Sequence, residues 1–341
     1  MPALSFPNNV QIETTSHCNA RCGFCPHPET SRTEPQGVMD DALFASIVEQ
    51  LAPHPLALVQ PFLNNDPLTD PRILQRLRLL RERLPRAPIA LTTNGLRLTA
   101  KTARALAELD LATVHVSSHG LTPETYRDTM GIDAWTVLRN VNLLADELRR
   151  RRSATRLVVS AVLLRTNRGE LAHMYRYWRS RGIEFYLNPL NDRAGNLPDG
   201  IFRALLPLAA PARAGQLRRY DMSGCPALDA FMGILWNGDV VSCCMDWRRA
   251  RVLGNARDQG LAEIWSGAPY ARLRALSGQG RLAEEPLCRS CGDNRFSIAE
   301  DALRTLDRRP PGDEDRGVLE LLASLERDEG VLQLGLVRKE T

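Results

Sequence analysis

Six short apolar, β-branched runs alternate with amphipathic helical patterns through the N-terminal part of the chain, and this alternation narrows the fold more than any other feature. The runs are Val10–Thr15, Leu56–Leu63, Pro88–Thr93, Ala112–Ser117, Arg156–Leu163 and Glu184–Asn188. Helical periodicity fills the gaps at Asp41–Leu51, Arg72–Leu84, Ala100–Leu109, Trp135–Arg149 and Glu170–Arg181. Strand–helix alternation of this kind means βα units and a parallel sheet. The repeat occurs six times, short of the eight in a closed barrel, so an incomplete α/β barrel is expected. At 341 residues there is material for about two domains.

The cysteines fall into two groups. Cys18, Cys22 and Cys25 lie in the run Thr15-Ser-His-Cys-Asn-Ala-Arg-Cys-Gly-Phe-Cys-Pro26, directly after the first strand run. The other five, Cys225, Cys243, Cys244, Cys288 and Cys291, all lie far downstream. Three thiolates spaced C-x3-C-x2-C fit on one tight loop and can hold three corners of a cubane iron–sulfur cluster. No fourth cysteine follows in that stretch, so one iron would stay open, as catalytic metal sites do. Pro26 stops the loop from running on as regular structure. Spacing alone also fits a zinc knot or three buried thiols. In the second group, Phe231–Trp236 and Asp239–Cys243 flank Asn237-Gly238, a strong hairpin signal. Such a hairpin brings Cys225 and Cys243 to one end of a small sheet, and a helical pattern from Leu261 to Trp265 starts the return to Cys288. Four cysteines, two of them as C-x2-C, also fit zinc.

Taken together, the first motif resembles the radical S-adenosylmethionine enzymes, and the second resembles their SPASM auxiliary-cluster domain in its shortened "twitch" form. The wording from Trp236 to Trp247, then Leu253-Gly-Asn255 and Glu263-Ile-Trp265, is similar to that domain as well. The resemblance implies a partial (β/α)6 TIM-like barrel followed by a small α+β twitch (shortened SPASM) cluster domain. It implies S-adenosyl-L-methionine and two 4Fe-4S clusters as cofactors. Cys18, Cys22 and Cys25 would hold the first cluster, and Cys225, Cys243, Cys288 and Cys291 the second. In that family the methionine amine and carboxylate chelate the open iron, and an electron from the cluster releases a 5′-deoxyadenosyl radical.

Further site residues are expected at the carboxyl ends of barrel strands. Leu63-Asn-Asn-Asp-Pro-Leu68 sits where relatives carry a Gly-Gly-Glu-Pro-like motif, so Asn64, Asn65 and Asp66 are expected to hold the methionyl amine. A polar turn before Pro67 explains the same residues. Ser117-Ser-His-Gly120 stands where relatives often read Ser-x-Asp-Gly. Ser117 is then a ribose contact, and His119 an acid or base toward substrate or a structural hydrogen-bonding residue. Thr93-Asn94-Gly95 resembles the family's turn after the third strand, which makes Asn94 a cofactor contact, or it is only a tight turn; Ser160 and Asn188 are further candidates. Arg193, beside Asp192, offers a fork of donors to a substrate hydroxyl or carboxylate, and Asp246 is expected to project toward the same space from the second domain; residues of exposed surface loops explain the same positions. Cys244 is either a small filler in the hairpin or a thiol that returns a hydrogen atom to substrate. On a strand it points away from the face that Cys243 uses.

The expected domains are a barrel over 1–196, a linker over 197–223, a cluster domain over 224–296 and a helical tail over 297–341. No apolar stretch is long enough to cross a membrane, the N-terminus does not read as a secretory signal, and oxygen-sensitive clusters belong in a reducing cytoplasm. The net charge of +4 is too small to suggest nucleic acid. The resemblance is nearest to twitch dehydrogenases of aminocyclitol and aminoglycoside biosynthesis. A small polar, sugar-like substrate oxidised through a radical, in antibiotic-type biosynthesis, is the first expectation, with an external electron donor such as flavodoxin or ferredoxin. Radical epimerisation or decarboxylation of a sugar is the alternative. Maturation of a ribosomal peptide is a third; the short stretch before Cys18 leaves no room there for a leader-binding domain.

Overall fold

The structure, a computed structural model, describes residues 4–188, 190–205, 224–289 and 291. The expected tail over 297–341 and most of the expected linker lie outside the described residues. Within them the strands are β1 Asn9–Ile12, β2 Leu58–Gln60, β3 Ala90–Thr93, β4 Thr113–Ser117, β5 Arg156–Val162, β6 Glu184–Asn188, β7 Phe231–Ile234, β8 Asp239–Val241 and β9 Gly254–Asn255. The barrel helices are α1 His27–Thr33, α2 Asp41–Leu51, α3 Ile73–Arg83, α4 Ala100–Glu108, α5 Pro123–Thr129, α6 Ala134–Arg151 and α7 Leu171–Arg179. After them come α8 Asp199–Leu205, α9 Ala227–Ala230, α10 Leu261–Ser266, α11 Ala268–Gly278 and α12 Pro286–Arg289.

Side-chain caps set where several helices begin. Asp40, Thr99, Thr122 and Asp133 accept backbone N–H groups at the starts of α2, α4, α5 and α6, each such cap contributing about 1 kcal/mol. In α2 the positions Leu43, Phe44, Ile47, Val48 and Leu51 are buried, the stripe that a period of 3.6 residues turns toward one side. Helix α6 ends where Arg152 takes φ +52°, with Arg149 to Arg151 in the last turn, where cations favour the dipole.

Strands β3, β4, β5 and β6 form one parallel sheet in chain order, and β1 pairs with β2 in parallel. A parallel bridge from Val59 to Ile89 links the two sets, so six strands curve in sequence as a partial barrel. Residues that alternate along β4 divide cleanly: Val114 and Val116 are buried under the helices, while His115 and Ser117 on the other face are part-exposed.

The second domain is joined to the barrel more closely than the hairpin signal suggested. β7 lies parallel to β1 over Asn9↔Phe231 to Ile12↔Ile234, and β8 and β9 extend that sheet. The order is therefore β2-β1-β7-β8-β9, not a separate small sheet. Alternation in a strand shows which face is buried but not which neighbour it pairs with, so this join is invisible in the sequence. Between β7 and β8 the turn closes with Gly238 at φ +96°, the left-handed position of a three-residue hairpin loop. Helix α8 occupies the start of the stretch expected as linker. Among the described residues no helix is long and apolar enough to cross a membrane.

Candidate active site

Cys18, Cys22 and Cys25 sit on the loop that leaves β1. The loop is pinned from two sides. Arg21 N and Gly23 N donate to Met130 O and Thr129 O at the end of α5, at 2.8 and 3.2 Å. His27 Nε2 meets Ser16 O at 2.9 Å, which closes the base of the loop. Cys25 N donates to Cys22 O at 3.1 Å, a tight turn between two of the sulfurs. Burial, then the charge of Asp66, pushes the Cys18 thiol up to about 12. Burial likewise raises Cys22 and Cys25, and the Arg193 guanidinium offsets part of the effect at both. Thiols in such a setting become thiolates only when a positive centre meets them, as iron does. Among the described residues no three His, Cys, Asp or Glu side chains crowd closely enough to hold a single ion. A cubane, by contrast, spreads its ligands around a body of its own. Soft sulfur donors on one pinned, half-buried loop fit an iron–sulfur cluster.

The turn after β3 and the loop after β2 meet this cysteine loop. Asn94 Nδ2 donates to Asn19 Oδ1 at 2.6 Å and lies 3.9 Å from Cys18 Sγ. Asp66 holds that arrangement in place. Its carboxylate accepts from Asn94 N at 2.7 Å, Thr93 Oγ1 at 2.9 Å and Leu68 N at 2.9 Å. Burial raises its pKa against these hydrogen bonds. Both carboxylate oxygens are thus engaged within the protein, and the geometry makes Asp66 the tie between two loops. Asn65 Oδ1 accepts from Leu63 N at 3.0 Å, while its buried Nδ2 and the buried Oδ1 of Asn64 have no protein partner.

His119 is likewise engaged within the protein. Its Nδ1 accepts from Val162 N at 2.9 Å, and its ring packs edge-on to Phe24 of the cysteine loop with centroids 4.7 Å apart. Burial, helped by the charges of His115 and Arg193, pushes it down to about 3, so the ring stays neutral. Ser117 pairs in register with Ser160. The Ser160 hydroxyl is 2.6 Å from Nε2 of His115, a partner the sequence did not single out. Asn188 O accepts from Leu163 N at 2.8 Å, extending the β5–β6 ladder.

In the second domain Cys225 lies within electrostatic reach of both Cys243 and Cys288. The charge of Cys225 raises both Cys243 and Cys288, after larger contributions from Cys244 and burial at Cys243 and from burial at Cys288. Cys225 N donates to Ser277 Oγ at 2.9 Å, and Cys291 N to Cys288 O at 3.1 Å. Three thiols from different elements, joined by a turn to the fourth at Cys291, fit a four-cysteine cluster. Two expectations need correction. β8 ends at Val241, so Cys243 and Cys244 lie in a turn where strand alternation does not apply. Cys244 is exposed, and its thiol interacts with that of Cys243. Asp246 is buried and accepts from Ala250 N and Arg251 N at 2.8 and 3.0 Å, so its carboxylate closes its own loop.

Glu13, at the end of β1, was not anticipated. It is 3% exposed and lines a small polar cleft with Ser16, Gln36, Asn64, Trp247 and Arg249. Trp236 N and Asn64 N donate to it, so one carboxylate touches both the auxiliary hairpin and the loop after β2. Burial raises its pKa from 4.5 to about 7. The rule that pointed to the ends of other barrel strands would have found it had it been applied to β1. A carboxyl whose folded pKa is raised favours folding below its unfolded pKa, and that stability is lost as pH climbs through the folded value. Wild type should therefore lose about 3 kcal/mol between pH 4.5 and above 7 relative to Glu13→Gln. Anaerobic urea melts of both proteins across that range check this; parallel pH profiles would contradict it.

Two family models match the chain. Residues 12–177 match the radical SAM superfamily, and residues 225–292 match SPASM, an iron–sulfur cluster-binding domain. With the two cysteine sets and the partial barrel, this makes the chain a radical SAM enzyme with a SPASM domain, using S-adenosylmethionine and iron–sulfur clusters. The S-adenosyl-L-methionine-dependent 2-deoxy-scyllo-inosamine dehydrogenase of Niallia circulans is 23% identical, covering 83% of this chain and 92% of its own. The tungsten-containing aldehyde ferredoxin oxidoreductase cofactor-modifying protein of Pyrococcus furiosus is 25% identical, over 87% and 90%. The crystal structure of BtrN with AdoMet and 2-DOIA superposes with a TM-score of 0.59 at 21% identity, covering 85% of this chain and 94% of BtrN. Streptococcus suis SuiB bound to its precursor peptide SuiA gives 0.63 at 18%, covering 80% and 68%. At these identities the structural matches speak to the fold.

Proposed function

We propose that the protein oxidises a secondary alcohol of a small, polyhydroxylated amine, an aminocyclitol or amino sugar, to the ketone, in natural-product biosynthesis. The observation that carries this reading is the polar pocket between the cysteine loop's trailing helix α1, the loop after β2 and the auxiliary hairpin. Its buried walls carry Gln36 Oε1, Asn64 Oδ1 and Trp247 Nε1, none with a protein partner, the kind of lining that hydroxyl and ammonium groups satisfy. The dehydrogenase among the relatives, similar over most of both chains, supports the same class.

Cys18, Cys22 and Cys25 would hold the first cluster, and Cys225, Cys243, Cys288 and Cys291 the auxiliary one. When bound, S-adenosylmethionine with the first cluster would supply a 5′-deoxyadenosyl radical to take one hydrogen atom from the alcohol carbon, and the auxiliary cluster would supply an acceptor for the electron left behind. Asn94 and Asp66 set the wall beside Cys18. Arg249, on the pocket wall, offers donors to substrate hydroxyls. Glu13, poised near neutrality, accepts the hydroxyl proton as the carbonyl forms. A small redox protein such as flavodoxin or ferredoxin would deliver the electron that starts each turnover.

The test is anaerobic turnover with 2-deoxy-scyllo-inosamine and related amine-bearing polyols, read by mass spectrometry. The expected product lacks one hydrogen pair, and Cys244→Ala still makes it. An isomer of unchanged mass that has taken up deuterium from heavy water, and that disappears in Cys244→Ala, would make the enzyme an epimerase and overturn the proposal.

A further inference from the structure

Residues 190–197, after β6, cross from one cluster site to the other. Leu190 and Leu197, at the two ends of this stretch, pack with Phe24, Val162 and Leu164, and Cys22 lies against the same group. Between them Arg193, Ala194 and Gly195 take φ of +55°, +56° and +78°. Three successive residues in this region form a left-handed turn, which is costly for the two that carry a Cβ.

Every strand of its support is visible. Arg193 N donates to Asn191 Oδ1 at 2.6 Å, Gly195 N to Asp192 Oδ2 at 3.1 Å, and Leu197 N to Asp192 O at 2.9 Å. Asn196 Nδ2 donates to Arg193 O at 2.7 Å and to Met245 O at 3.1 Å, two residues past Cys243. A costly turn this heavily tied is there to aim something. What it aims is the Arg193 side chain, whose buried Nε has no protein partner and whose charge is felt by Cys22, Cys25 and His119.

We infer that Arg193 is a positioning residue that tunes the first cluster: the left-handed turn holds its guanidinium beside the Cys22–Cys25 side of the loop, where its charge favours the reduced cluster. The inference rests on Cys18, Cys22 and Cys25 being that cluster's ligands. A fixed positive charge stabilises the extra electron that the donor delivers, and cluster potentials follow local charge, hydrogen bonding and exposure. The auxiliary cluster, reached by the same stretch only through the neutral Asn196, should not share the effect.

The test is a redox titration of the anaerobically reconstituted full-length protein followed by electron paramagnetic resonance. The first cluster is recognised as the one whose signal changes when S-adenosylmethionine is added. In Arg193→Gln the reduced-to-oxidised ratio at a given poise should fall about tenfold, a midpoint lower by about 59 mV for a one-electron couple. Arg193→Lys, which keeps the charge, should stay near wild type, and the auxiliary midpoint should not move in either variant. If Arg193→Gln does not retain iron, Gly195→Ala serves, because its Cβ disfavours φ +78° and loosens the guanidinium; a smaller shift in the same direction is expected. An unmoved first-cluster midpoint in the iron-loaded variant overturns the inference. So does an equal displacement in Arg193→Gln and Arg193→Lys, which would mean shape and not charge. A native protein with no iron–sulfur signal would overturn the ligand assignment and this inference with it, whereas an intact signal with a fixed midpoint removes this inference alone.

Discussion

Changing Cys18, Cys22 and Cys25 together to alanine is expected to abolish 5′-deoxyadenosine formation and to cut the iron of reconstituted protein from about eight to about four per chain. The loop has no fourth cysteine to take over, and the three thiols come from a single turn pinned to α5 and α1, so losing them leaves no partial site. The auxiliary ligands arise from the loop before α9, the turn after β8 and α12 with its successor, and the two sets share no residue. Iron and sulfide analysis, with product analysis after a reductant and S-adenosylmethionine are supplied, checks both halves. Stoichiometric zinc in protein purified without oxygen, with no iron–sulfur absorption, would remove the cluster assignment altogether.

Replacing Cys225, Cys243, Cys288 and Cys291 should have the opposite signature. The first cluster should still cleave its cofactor, but oxidised product should fall far more steeply than 5′-deoxyadenosine. The physical reason is electron balance: loss of one hydrogen atom leaves a carbon radical, and a ketone forms only when a further electron and a proton depart. With no acceptor nearby, hydrogen return competes and cleavage uncouples from product. The ratio of 5′-deoxyadenosine to product is the quantity to measure. A quadruple variant that turned over with the native ratio would exclude an electron-accepting role for the second cluster.

The barrel was legible because its signals are local. Helix α2 spans Asp41–Leu51 and β6 spans Glu184–Asn188, as the periodicities indicate. Asp40 caps the helix, and regular apolar spacing runs through it. Helices α1 and α5 escaped notice because each is only seven residues long, opens on a proline within its first turn, and has few apolar positions to mark a face. The cofactors were legible for a different reason, since cysteine spacing carries the geometry of the loop in the sequence itself. What the sequence could not show was where polar groups direct themselves. Asp66, His119 and Asp246 have the residue types and positions of site groups, yet each meets backbone N–H groups of the protein. That depends on burial and on loops brought together from distant segments. Glu13 shows the converse, an acid in an unremarkable strand end that becomes distinctive only when the hairpin at Trp236 closes over it.

The parallel pairing of β7 with β1 has a consequence for how the chain can assemble. These strands are separated by more than two hundred residues, and closing so long a loop has an entropic cost that only later contacts repay. Until residues 231–234 have been synthesised, the edge of β1 presents unpaired backbone groups, the kind of surface on which chains stick to one another. The strand with that open edge is the one leading into Cys18. One flank of β1 is thus covered only when the second domain arrives, and the cysteine loop that follows it stays accessible to iron delivery until then.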